Sequence, residues 1–87
     1  MKIITVKDII RKDVPIYYRL LYTGVAIMEF TGKTNEHRID FTIEIKPTGY
    51  KEIIVNILDK IDYPLVPVIK ELKNFIDAMH LNGMLPD

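Results

Sequence analysis

The stretch that most limits what this chain can become is Arg38–Tyr50 together with the residues that follow it. Over Arg38–Lys46, Ile39, Phe41, Ile43 and Ile45 alternate with Arg38, Asp40, Thr42, Glu44 and Lys46. Strict period two marks a half-buried antiparallel strand. Lys46-Pro47-Thr48-Gly49 then reads as a turn. Proline presets φ at the second position, and glycine supplies the positive φ that closes a type I turn into a bulge. Closing there sets Lys46 opposite Tyr50. Counting back puts Ile43 opposite Ile53, Phe41 opposite Val55 and Ile39 opposite Ile57. A register taken from the turn alone gathers these six apolar side chains on one face, so two independent signals agree.

An apolar sheet face needs a cover, and Leu65–Met79 supplies one. Leu65, Val68, Ile69, Leu72, Phe75, Ile76 and Met79 fall within an arc of roughly 120° at helical spacing. Lys70, Glu71, Lys73, Asn74 and Asp77 take the opposite side. Pro67 has no amide hydrogen and fits the first turn, where that hydrogen is unpaired in any case. Gly83 after Asn82, with Pro86 beyond, marks the end. The spacing predicts a helix over about 67–81.

The first half of the chain is less regular. Val14–Tyr22 and Val25–Thr31 are both strand-like, with Thr23-Gly24 between them, so a hairpin turning at Thr23-Gly24 is expected. Thr31–His37 is rich in turn residues and reads as a loop. Thr5-Val6-Lys7-Asp8 has the form of a capping box, and Val6, Ile9 and Ile10 then share one helical face. This predicts a short helix over about 6–11. The alternative is a strand over Lys2–Lys7, whose Ile3, Ile4, Thr5 and Val6 are good strand formers. The expected architecture is α+β in a single domain spanning 1–87. It is a four-stranded antiparallel meander, with strands at about 14–22, 25–31, 38–46 and 51–58. The long C-terminal helix packs on one face and the short N-terminal helix lies at an edge or end.

Composition narrows the function classes. The chain has no cysteine, which removes disulfides and thiolate metal sites and favours a reducing compartment. It also has no serine, so the commonest nucleophiles of acyl transfer are missing. Twelve basic residues balance twelve acidic ones, and no global field points to nucleic acid or membrane. The N-terminal Ile3–Val6 run is too short for a signal peptide and no apolar run spans a bilayer. A cytoplasmic, non-enzymatic protein without cofactor is expected.

Four local patterns bear on chemistry. Phe30-Thr31-Gly32-Lys33-Thr34 resembles the tail of a phosphate-binding loop, but Ile27 stands where the pattern needs a glycine, so a hairpin loop is expected. Asp40, Glu44 and Glu52 share a face, which reads as solvated rather than as a metal site. His37 and His80 lie far apart, and His80 suits the negative end of a helix. Lys33, His37 and Arg38, with other basic residues nearby, form the alternative reading, a nucleic-acid surface on the Thr31–Arg38 loop. In outline, helix–strands–helix resembles a double-stranded-RNA-binding domain. The last helix here opens Leu65-Val66-Pro67-Val68, where that family carries lysines.

The leading expectation comes from surplus apolar surface. One helix covers one sheet face, yet both faces of the first hairpin are apolar. Either Tyr18, Leu20, Tyr22, Val25 and Ile27 or Tyr17, Leu21, Ala26, Met28 and Phe30 would be left over. A contiguous apolar patch carrying tyrosines favours a protein interface, and a homodimer is the commonest way to bury one. Tyr17, Tyr18, Leu20, Tyr22, Met28 and Phe30 are the candidate interface residues.

Overall fold

The alternating segments pair into one antiparallel sheet, closed on one side by a helix. The computed structural model describes residues 1–86. Its strands are β1 (Lys2–Lys12), β2 (Arg19–Phe30), β3 (Lys33–Ile45) and β4 (Lys51–Ile57), followed by α1 (Leu65–Leu81). They are ordered β1-β2-β3-β4, an antiparallel meander. The α+β class and the four-stranded sheet with a C-terminal helix therefore stand.

The hairpin of β3 and β4 has the register its turn dictates. Ile39 opposes Ile57, Phe41 opposes Val55 and Ile43 opposes Ile53. The Lys46 amide donates to the Tyr50 carbonyl at 2.8 Å, and Gly49 has φ 84°. On α1, Val68, Leu72 and Ile76 are fully buried against this face, with Ile69, Phe75 and Met79 packed around them. Each such side chain contributes about 1.5–3 kcal/mol on burial. The helix starts at Leu65, two residues before the predicted point, and Pro67 still lies within the first turn. It ends in a Schellman arrangement: Gly83 donates to His80 O at 3.2 Å and Met84 to Met79 O at 2.9 Å.

The N-terminal half differs from expectation in three linked ways. The predicted helix over 6–11 is part of strand β1. Thr5–Asp8 satisfies a capping pattern locally, but pairing with β2 along Lys2–Lys12 outweighs it. Asp8 takes φ 52° where the register slips between Lys7 and Ile10. This is a bulge on a residue that tolerates the left-handed region. Second, β2 does not turn at Thr23-Gly24 but runs straight through it, so the strands expected at 14–22 and 25–31 are largely one element. Gly24 is buried, and a Cβ there would stand 3.2 Å from Val6 Cγ1 and 3.3 Å from Lys7 O. Glycine is needed for close approach to the bulged strand, not for a turn. Third, the turn lies at Thr31-Gly32, with φ 48° and 79° and Phe30 opposite Lys33. Two positive φ values make it a type I′ hairpin turn. The expected loop over Thr31–His37 is therefore mostly strand, and the phosphate-loop look-alike is a hairpin turn.

Candidate interaction surfaces

Because β2 passes through Gly24, its side chains sort by a single parity. Leu20, Tyr22, Gly24, Ala26, Met28 and Phe30 stand on the helix side, opposite Ile43, Phe41, Ile39, His37, Asn35 and Lys33. Tyr22 stacks on Phe41 with ring centroids 5.0 Å apart, and Phe30 meets Tyr63 at 4.8 Å. Tyr22 is 3% and Met28 0% exposed. Leu20 and Phe30 are half-buried against the same core. These four expected interface residues are thus core residues, held beneath α1.

The opposite, open face carries Leu21, Thr23, Val25 and Ile27 down β2, with Thr5, Thr42 and Ile54 beside them. The surplus set is thus neither of the two anticipated ones, because moving the turn changed the parity of half the strand. This lane is roofed by charged side chains. Lys7 of β1 reaches Glu36 of β3 at 3.1 Å, passing over the Val25 and Ile27 row. Arg19 meets Glu44 at 3.7 Å, and Lys46 meets Glu52 at 3.2 Å. Their aliphatic stems cover apolar surface while their heads stay wet. Leu21, Val25 and Ile27 are only half-exposed as a result. The Asp40, Glu44 and Glu52 carboxylates each have a neutralising or hydrogen-bonded partner, Asp40 accepting from Asn56 Nδ2 at 2.9 Å. Among the described residues no cluster of histidine and acidic side chains suits a metal ion.

Tyr17 and Tyr18 lie at one end of the sheet, in the β1–β2 connection. Tyr17 is 93% and Tyr18 44% exposed, and their rings meet edge-to-face at 5.6 Å. The Ile45 amide donates to Tyr18 O at 2.9 Å, which ties this loop to the end of β3. Tyr17, Tyr18, Glu44, Ile45, Lys46 and Pro47 line an open groove of about 560 Å³. Ile45 is 42% exposed there, and Ile16 is exposed nearby. Ile45 and Pro47 carry no interface signal of their own in the sequence. Their link to Tyr18 rests on β2–β3 register, which the apparent turn at Thr23-Gly24 obscures.

The basic residues considered for nucleic acid do not form a free patch. Arg38 is clamped by Asp59. Its Nη2 donates to Oδ1 at 2.6 Å, its Nε to Oδ1 at 3.1 Å, and its backbone amide to Oδ2 at 2.7 Å. These bonds hold the Asp59 carboxyl down at about 2 and raise the Arg38 guanidinium. His37 turns to the helix side, edge-on to Phe30 at 6.3 Å, while Lys33 sits at the hairpin turn. The outline likeness to a double-stranded-RNA-binding domain also loses its leading helix to β1. His80 lies far from His37, with Nδ1 3.0 Å from Lys51 Nζ, and Lys51 also pairs with Asp77. Burial, and then Lys51, push His80 below its ordinary value against the pull of Asp77. It is therefore less readily protonated than a histidine at a bare helix end.

No helix among the described residues is long and apolar enough to cross a membrane. No curated protein and no solved structure matches the sequence. A family model matches residues 1–81, and the chain belongs to the family it defines, the BB-0187 family.

Proposed function

We propose that this family member is a cytoplasmic, non-enzymatic protein-interaction module that self-associates as a homodimer through its tyrosine-bearing end. The observation that carries the reading is the exposure of Tyr17 beside a groove on the same surface. A projecting aromatic ring next to an apolar groove is self-complementary under a two-fold axis: each tyrosine enters the partner's groove. Tyrosine is also the residue type that most often anchors such contacts. Glu44 and Lys46 at the groove rim bring both charge signs, so two copies meet without like-charge conflict. The lack of serine and cysteine nucleophiles and of a metal-ligating cluster among the described residues supports a binding role over catalysis. The nucleic-acid reading loses its best cation, since Arg38 is occupied by Asp59.

Hydroxyl-radical footprinting tests the surface directly. Tyr17 and Tyr18 oxidise freely in dilute protein and become several-fold protected as concentration rises into the dimer range, while Tyr50 does not change. Equal oxidation of Tyr17 at all concentrations overturns the proposal.

A further inference from the structure

The two edges of the sheet differ. β1 carries two register slips, a positive-φ residue at Asp8 and the cations Lys2, Lys7, Arg11 and Lys12. Bulges and lysines are the usual means of blunting an edge against further pairing. β4 lacks bulges: its seven residues pair with β3 without a slip, and it contains no proline.

The hydrogen bonds identify which β4 groups point away from the sheet. The Lys46 amide bonds to Tyr50 O, and the Leu58 amide bonds to Arg38 O. Even-numbered residues of this segment therefore bond inward to β3. In an antiparallel ladder the alternate residues direct both N–H and C=O outward. Those residues are Lys51, Ile53, Val55 and Ile57, and β4 has no strand on its outer side.

Beside this free edge runs a shallow groove of about 530 Å³ between β4 and α1, lined by Tyr50, Lys51, Glu52, Lys73, Asn74 and Asp77. Lys73 links it to a second hollow with Leu65, Val66, Ile69 and Lys70. Val66 is 81% exposed there. Lys70 and Lys73 take no part in the ion pairs of the described residues, so the flank of α1 presents two unneutralised ammonium groups beside an unpaired strand.

We infer that the β4 edge is a docking site for an extended acidic segment of a partner polypeptide, which adds as a fifth strand. Main-chain bonds to Ile53, Val55 and Ile57 hold it, and acidic side chains at alternate positions face Lys70 and Lys73. A second copy of this chain fits the edge poorly. Two β4 strands paired about a two-fold axis would bring Lys70 and Lys73 against their own equivalents, a like-charge contact. This site is separate from the tyrosine end, and each stands or falls without the other.

The test uses three capped octapeptides that alternate valine with glutamate, threonine or lysine. Amide exchange of the full chain is followed residue by residue with each peptide at about 1 mM, the scale of a weak strand addition. The glutamate peptide slows exchange at Ile53, Val55 and Ile57 by roughly tenfold and leaves β1 unchanged. The threonine peptide does less, and the lysine peptide does nothing. Methylating the peptide amides that face β4 abolishes the effect. The surface double variant Lys70→Glu/Lys73→Glu transfers the preference to the lysine peptide. The inference is overturned if the glutamate peptide leaves these amides unchanged or if the lysine peptide protects them equally. Protection that grows with protein concentration alone, without peptide, also overturns it by placing a second copy on the edge.

Discussion

Gly24 offers the sharpest physical test of the fold. An ideal Cβ there lies 3.2 Å from Val6 Cγ1, 3.3 Å from Lys7 O and 3.4 Å from Ile9 Cγ1. Valine adds two further methyl groups in this tight space. Overpacking of this kind costs about 1–3 kcal/mol. Against it stands a gain of about 0.4–1 kcal/mol from restricting the unfolded chain. The net expectation for Gly24→Val is a loss of about 2 kcal/mol, which for a domain of this size lowers Tm by about 8–16 °C. A strained turn glycine would also be sensitive to substitution, so the decisive measurement is a double-mutant cycle with Val6→Ala by urea denaturation. Alone, Val6→Ala costs about 2 kcal/mol through lost burial and a residual cavity. In the Gly24→Val background it relieves the clash and costs about 0–1 kcal/mol, a coupling of at least about 1 kcal/mol. Additive effects would refute the reasoning, because they would mean that Val6 and Gly24 do not touch.

Three further outcomes follow from the same geometry. Leu72→Ala, at a fully buried helix position, lowers stability by about 2–5 kcal/mol in chemical denaturation, a large share of what a small domain has. Asp59 is held low in the folded chain, so the unfolded chain takes up its proton first on acidification. The contribution of the Arg38 clamp is complete above the ordinary carboxylate range and is lost as pH falls toward about 2. Asp59→Asn should flatten that part of the stability–pH curve. His80 is also lowered, but as a base: above its ordinary value it is neutral in both states, and below it the unfolded chain is protonated first. Stability therefore declines as pH drops below about 6.5, and His80→Gln removes this decline while leaving the Asp59 limb in place.

The parts of the fold that were legible in the sequence are those fixed by neighbours in the chain. The Pro47–Gly49 turn and the alternation around Phe41 determine each other's register, and the stripe from Leu65 to Met79 needs only helical spacing. The misread parts depend on contacts far away in sequence. Thr5–Asp8 has a helix-start pattern, and the strand partner that overrides it lies some twenty residues on. Thr23-Gly24 looks like a turn, and its true role becomes visible only with Val6 and Lys7 laid against it. That single displacement reversed the parity of residues on either side of Gly24. Tyr22 and Met28 went into the core, and Leu21 joined Val25 on the open face. Tyr17 and Tyr18 kept their place as surface candidates because they lie outside the strand whose register changed. The β4 edge gave no local signal at all, since an edge is a property of sheet order.

Self-association through the tyrosine end is the central claim, and sedimentation velocity across about 1–100 μM measures it most directly. The chain is predicted to shift from monomer to dimer over this range, and Tyr17→Asp, which changes an exposed side chain, to remain monomeric with unchanged Tm. Lys73→Glu, on the β4 side, should dimerise as the parent does. A parent chain that sediments as a monomer throughout, or a Tyr17→Asp variant that dimerises equally well, would contradict the account.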